Sequence, residues 1–217
     1  MRFLYDENAG NDFLEIKGDN FNHLKARRVS VGERLDIRNL KDGYSYLYEI
    51  KEFSRKAVCE LVFKSLAKNY ESDLTLAWAV VQPSVIEKTL PSLNEIGVRK
   101  ILFVYTDFSQ KNIKLDFDRF ERILIGSSEQ CGRNSIIKFE TFASVSELLN
   151  AYKNVSLVDF GGVNLDMASK NEILFVGSEG GFSDAERTKF AKSYALNSPN
   201  ILRSNTAIIS VAAKMLL

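Results

Sequence analysis

The chain has 217 residues, 45% of them hydrophobic and 26% charged, with 29 Lys and Arg against 28 Asp and Glu. That composition excludes a disordered or fibrous chain, and the length allows one large domain or two smaller ones, each with its own core. The net charge of +1 excludes a global field that would by itself attract nucleic acid. Two cysteines, Cys59 and Cys131, make no disulfide framework and fit a reduced, cytoplasmic setting. The single histidine, His23, cannot build a zinc cluster with them at a recognised spacing, so no metal is expected. Met1–Gly10 is charged and lacks the apolar stretch of a signal peptide. No apolar run approaches the roughly 20 residues that span a bilayer, which points to a soluble protein with no membrane partner.

In chain order, residues 1–70 read as a small β-rich domain. Arg34–Arg38, Tyr44–Glu52 and Ala57–Lys64 are short, rich in β-branched and aromatic residues, and separated by turn signals such as Lys41-Asp42-Gly43. One helix is predicted over Asn20–Val29, and the polar stretch Ala67–Ser72 reads as a linker. Residues 71–217 then read as an α/β domain. Leu74–Val81, Ile101–Tyr105, Val155–Phe160 and Ile173–Val176 are continuous apolar runs, as expected of strands covered on both faces of a parallel sheet. Helix-period stretches alternate with them at Ser84–Ile96, Asp116–Cys131, Ser144–Tyr152 and Ser183–Tyr194, followed by a final helix over Ala207–Leu217. Capping boxes are predicted at Ser84/Glu87, Ser144/Glu147 and Ser183/Glu186.

Ligands of such sheets bind beyond the carboxyl ends of the strands, which directs attention to the segments after Phe160 and Val176. Gly177-Ser178-Glu179-Gly180-Gly181 joins a strand to a capped helix. It is either a tight turn or a surface on which a ligand meets backbone groups. It has neither the dinucleotide fingerprint nor the lysine of a phosphate-binding loop, so a nucleoside-like ligand fits it better. Phe160-Gly161-Gly162 reads as a turn that can form a second wall. In Ser198–Ala207, Pro199 sets an extended approach, Ser204 or Asn205 can cap the last helix, and Arg203 is a cation at a helix start, where cations are disfavoured. Glu129-Gln130-Cys131-Gly132-Arg133 ends a helix. Gly132 or Asn134 can terminate it and Arg133 complement its dipole, or the segment can act in a site. In the first domain Lys25, Arg27 and Arg28, with Arg2 near them, form either a solvated helix face or a phosphate-tracking one, and His23 can stack on a base or be a partly buried polar residue.

Taken together these segments resemble the SPOUT methyltransferases, and within them the RsmE-type family that methylates N3 of a uridine in small-subunit (16S) ribosomal RNA. The family's Gly-Pro-Glu-Gly-Gly is matched by Gly177–Gly181, with Ser178 for the proline. Its Leu-Gly-x-Arg-Ile-Leu-Arg-x-Glu-Thr-Ala is matched by residues 197–207, with Asn197, Ser198, Asn200 and Asn205 as departures. Its Glu-Gln-x-x-Arg is matched by Glu129, Gln130 and Arg133, its Glu-Leu-Gly-Val by Glu95–Val98, and its N-terminal Arg, His, Arg and Gly by Arg2, His23, Arg28 and Gly32. Pro91-Ser92-Leu93-Asn94 stands where the family has Gln-Lys-Ala-Thr.

The resemblance implies a PUA-like RNA-binding domain over residues 1–70 and a SPOUT domain over 71–217, tied in a trefoil knot and working as a homodimer. It implies S-adenosylmethionine as cofactor, held by Phe160, Gly161, Gly177, Ser178, Glu179, Gly180, Gly181, Leu196, Asn197, Ser198, Ile201 and Leu202. Ribosomal RNA or the small ribosomal subunit is the implied partner, with Arg2, His23, Lys25, Arg27 and Arg28 toward RNA. Because N3 of uridine carries a proton at neutral pH, the site must stabilise a uridylate-like anion. Arg133 and Arg203 are the candidate cations and Glu129 the candidate base. The alternatives are a related methyltransferase with a different RNA target, and a non-catalytic RNA-binding or ribosome-assembly protein.

Overall fold

Every second side chain turns inward along the N-terminal strands: Leu35 and Ile37, Tyr46, Tyr48 and Ile50, Ala57 and Cys59 are all buried, the period-2 pattern of a sheet with one covered face. These belong to β3 (Arg34–Arg38), β4 (Tyr44–Phe53) and β5 (Ala57–Leu66). Two strands that the sequence did not announce complete the sheet, β1 (Leu4–Tyr5) and β2 (Phe13–Ile16). At two and four residues they are too short to display a period. The order is β1-β3-β4-β5-β2, with β1 parallel to β3 and the other pairs antiparallel. Irregularities at Leu47/Tyr48 and Ile50/Glu52 break the β4–β5 ladder, the kind of defect that bends a sheet. Helix α1 (Gly18–Ala26), two residues earlier than expected at its start and three at its end, drives Leu24 into this core and sets Phe21 against Phe53 at 5.0 Å between rings.

The computed structural model describes residues 2–68, 72–110 and 112–217. Residues 69–71 of the expected linker therefore lie outside the described residues; Ser72 at its end donates to the carbonyl of Gly97. The chain forms two compact units, Met1–Tyr70 with Ile125–Ile136 and Glu71–Leu124 with Ile137–Leu217. In the first unit the residues 129–132 close on the N-terminal strand region. Arg2 N donates to the Glu129 carbonyl (2.6 Å), Tyr5 N to Glu129 Oε1 (2.7 Å), and Arg38 Nη1 to the Gly132 carbonyl (3.3 Å).

The second unit is built on six parallel strands in the order β11-β9-β10-β6-β7-β8. Of the predicted apolar runs, β6 (Thr75–Ala79) is trimmed at both ends, β7 (Lys100–Val104) lies one residue earlier, β9 (Val155–Asn164) is longer, and β10 (Ile173–Val176) keeps the expected bounds. β8 (Lys138–Phe142) and β11 (Ser193–Ala195) are additional. Its helices are α2 (Pro83–Ile96), α4 (Val145–Ala151), α5 (Asp184–Arg187) and α6 (Ser204–Leu216), together with the first half of α3 (Phe117–Cys131), whose residues from Ile125 on belong to the first unit. Phe103, Phe117, Phe120 and Phe139 pack ring to ring, with Trp78 against Phe103.

Several local expectations are corrected. Ser84 does not cap α2: the helix opens at Pro83, whose missing N–H costs nothing there, and Glu87 pairs with Arg119 at 2.7 Å instead. At α4, Ser144 accepts from Glu147 N as expected, but the Glu147 carboxylate takes the N–H of Ala143, one residue before the cap. The Ser183/Glu186 box is complete, yet its helix stops at Arg187, and Ser193–Ala195 joins the sheet edge beside β9. Sheet pairing there overrides the helical pattern. Phe160-Gly161-Gly162 is not a turn after a strand; β9 (Val155–Asn164) runs through it. α6 begins three residues early because Ser204 is inside the helix rather than ahead of it.

Candidate active site

At the carboxyl ends of β9 and β10, beside the point where the strand order reverses between β10 and β6, lies a cleft of roughly 710 Å³ including its open mouth. The position is where parallel sheets bind ligands. Three stretches of chain wall it.

The first is the far part of β9. The β11 ladder jumps from Ser193↔Leu157 to Tyr194↔Val163, so residues 158–162 leave it, and Val158, Asp159 and Phe160 line the cleft. Gly162 permits the return: a Cβ there would lie 2.6 Å from the Tyr194 carbonyl carbon, closer than backbone allows. Asp159 is held by Arg187, whose Nε donates to its Oδ2 at 2.6 Å.

The second wall is the glycine segment after β10. Gly181 N donates to the Ser178 carbonyl at 3.0 Å and closes a four-residue turn. Gly177 faces that turn so closely that a Cβ would meet Gly181 Cα at 3.1 Å. Gly177, Ser178, Glu179 and Gly181 line the cleft; Gly180 does not, and a Cβ on it would meet the Phe108 side chain at 3.2 Å.

The third wall is the stretch before α6, contributing Leu196, Ser198, Asn200, Ile201 and Leu202. Ser198 organises it, donating from Oγ to the Asn200 carbonyl (2.9 Å) and accepting from Asn200 N (3.2 Å). Ser204 locks this stretch to the second wall. Its Oγ donates to the Gly177 carbonyl at 2.5 Å and accepts from Trp78 Nε1 at 2.8 Å.

Of the expected cofactor residues, nine thus line one cleft: Phe160, Gly177, Ser178, Glu179, Gly181, Leu196, Ser198, Ile201 and Leu202. Gly161, Gly180 and Asn197 are not in its lining. Asp159, Asn200 and Ser204 line it without having been singled out as binding residues. The one sequence signal for Asp159 was its position as the first charge at the end of an apolar strand.

The expected catalytic residues are not in the lining. Arg203 is exposed at the N-cap of α6. Glu129 and Arg133 belong to the first unit. Burial raises the Glu129 carboxyl above the ordinary value of 4.5, against the pull of the Tyr5 N–H, the His23 charge and the chain's terminal ammonium. Arg133 Nε donates to Ser135 Oγ at 3.0 Å. Gly132, in the left-handed region at φ +90°, lets the stem of Arg2 cross it; a Cβ there would stand 2.8 Å from Arg2 Cδ.

The RNA candidates Arg2, His23, Lys25, Arg27 and Arg28 are all exposed. Arg28 holds the left-handed position after α1 (φ 57°), which usually falls to glycine and costs other residues about 1 kcal/mol. Among the described residues no group of His, Cys, Asp or Glu could hold a metal ion, and no helix is long and apolar enough to cross a membrane.

Comparison with known proteins agrees with this architecture. The RNA methyltransferase domain model matches residues 68–216, and the RNA methyltransferase PUA domain model matches residues 16–61. The ribosomal RNA small subunit methyltransferase E of Helicobacter pylori (strain 26695) is 41% identical over 98% of both chains. That of Mesomycoplasma hyopneumoniae is 29% identical over 98% of this chain and 97% of its own. Among solved structures, the Neisseria gonorrhoeae ribosomal RNA small subunit methyltransferase E bound to S-adenosylmethionine superposes with a TM-score of 0.79. It covers 99% of this chain and 96% of that one, and at 22% identity it speaks to the fold. The parallel sheet with its cleft, the small curled sheet, and relatives that match almost end to end place the chain in the ribosomal RNA small subunit methyltransferase E family.

Proposed function

We propose that the chain transfers a methyl group from S-adenosylmethionine to N3 of a uridine in 16S ribosomal RNA. The observation that carries this reading is the cleft itself, walled on three sides by the segments that match the family's motifs. Its residues fit the cofactor. The Gly177–Gly181 wall presents backbone where a Cβ would collide, and the buried Ser178 Oγ has no hydrogen-bond partner among the described residues, a group that a ligand would satisfy. Val158, Val176, Leu196 and Leu202 offer apolar contact and Asp159 and Glu179 negative charge, suited to a ligand with an apolar body and cationic groups. When bound, S-adenosylmethionine supplies the methyl group.

Residues 1–70 act in this reading as the PUA-like RNA-binding domain and 71–217 as the catalytic domain, which carries the knot and the homodimer contact. Arg2, His23, Lys25, Arg27 and Arg28 hold RNA, and the left-handed strain accepted at Arg28 supports a use for its side chain. Arg133 and Arg203 stabilise the deprotonated uridine, and Glu129, raised by burial, is the proton acceptor. The test is transfer of labelled methyl from S-adenosylmethionine to small ribosomal subunits lacking the modification, followed by nucleoside analysis. N3-methyluridine as the product is expected. A different methylated nucleoside would redirect the substrate, and cofactor affinity without any transfer would leave an RNA-binding protein.

A further inference from the structure

Phe108 is 53% exposed, in the segment that follows β7. A single exposed aromatic is ordinary on a protein surface. This one is different in how it is held. Asp107, its neighbour, donates its N–H to Glu186 Oε1 at 2.9 Å and accepts from Ser183 Oγ at 2.5 Å, so both residues of the α5 capping box grip it. Ser109, on the other side, donates from Oγ to the Val80 carbonyl at 2.9 Å, lies 3.0 Å from Thr106 Oγ1, and closes a turn by donating its N–H to the Thr106 carbonyl. The backbone on both flanks of Phe108 is therefore fixed to the carboxyl ends of β6 and β7 and to α5. The ring's own stem lies over Gly180, whose missing side chain leaves it room. Gly180 is the one residue of Gly177–Gly181 outside the cleft lining, and seating Phe108 accounts for its being glycine.

A solvent-facing aromatic on a tethered backbone thus stands beside Gly180, on the turn that walls the cofactor cleft. We infer that Phe108 is a stacking platform for an unpaired base of the substrate RNA, placed to hold the strand at the mouth of the methyl-transfer site. Proteins that bind single-stranded RNA use exposed aromatic rings in this way, because every base offers a π-face. A ring held in advance spares the entropy of ordering it on binding. The inference rests on the methyltransferase reading and deepens it.

Three variants test it: Phe108→Ala, Phe108→Leu and Phe108→Trp, each measured for thermal midpoint, affinity for S-adenosylmethionine, and affinity for and turnover on unmodified small subunits. Loss of a base stack should weaken RNA binding roughly 10- to 100-fold in the alanine variant. Leucine, which restores apolar bulk without a π-face, should not recover it, whereas tryptophan should. Cofactor affinity and thermal midpoint should stay at the wild-type values. In Phe108→Trp a second readout is available, because Trp78 is fully buried and is the only natural tryptophan: the new indole's fluorescence should be quenched by a uridine-containing oligonucleotide. Wild-type RNA affinity in Phe108→Ala, or full rescue by leucine, would overturn the platform while leaving the enzyme's function standing. Absence of methyl transfer by the wild-type protein would remove the reading beneath it as well.

Discussion

Arg133 separates structure from chemistry more sharply than any other single residue. It follows a helix C-terminus, where a cation is favourable without further purpose, and its Nε already serves Ser135. If its planar fork also meets the uridylate, lysine is a poor replacement. Arg133→Lys should then lower turnover about 30- to 1,000-fold, the loss of roughly 2–4 kcal/mol of transition-state stabilisation. The deficit should shrink as pH rises and supplies more of the anion. A folded variant with normal turnover, or with a pH-independent deficit, would return Arg133 to helix capping. Glu129 admits a similar separation. Its carboxyl is raised in the folded state by burial, which disfavours the charged form relative to the unfolded chain. Its contribution is present below the ordinary value of 4.5 and is lost as pH rises through the raised value. Glu129→Gln keeps an oxygen for Tyr5 N and should remove that component of the stability profile. Retained turnover in this variant would make Glu129 a brace for the N-terminal strand; lost turnover with unchanged melting would make it the base. The sequence marked both residues through one short motif. It did not show that the Glu129 carboxylate and carbonyl meet the backbone N–H groups of Tyr5 and Arg2, since these lie more than 120 residues away.

At the level of elements, the cleft depends on a junction among three of them. Ser204 on α6 bonds the carbonyl after β10 and the indole of Trp78 on β6, all of it buried. Ser204→Ala leaves a buried carbonyl and a buried indole N–H without this partner, at a cost of about 1–3 kcal/mol. The thermal midpoint should fall by several degrees, about 2–4 °C per kcal/mol for a chain of this size. Affinity for S-adenosylmethionine should fall with it, because the Gly177 turn is no longer tied to α6. An unchanged midpoint would show that the junction has another support. Strands β6, β7 and β10 were legible because each is an apolar run covered on both faces. The strand β11 and the early end of α5 were not, because Ser193–Ala195 has no strand signal of its own and takes its form from β9.

The second unit leaves Phe108, Phe117, Phe160, Val163, Met167, Ile201 and Leu217 exposed. Phe160 and Ile201 belong to the cleft; the proposed homodimer would cover apolar side chains among the others. Light scattering at micromolar concentration should give twice the chain mass of 24.5 kDa. A mass of 24.5 kDa that persists on concentration would rule the dimer out.

Local chemistry determined much of this protein from sequence alone. Apolar runs set the parallel strands, alternation set β3, β4 and β5, and glycines at positions where backbone must meet backbone marked the cleft's second wall. Nine of the twelve residues expected to hold the cofactor meet in one lining because they sit at strand ends and in the segments that follow, a position that the pattern itself encodes. Tertiary structure decided what pairing at a distance decides. β9 runs on past its apolar stretch because Gly162 can approach Tyr194. Gly180 turns from the cleft to Phe108, and Glu129 joins the N-terminal strand. Each of these outcomes depends on a partner far along the chain, and no local period, cap or composition carries information about such a partner.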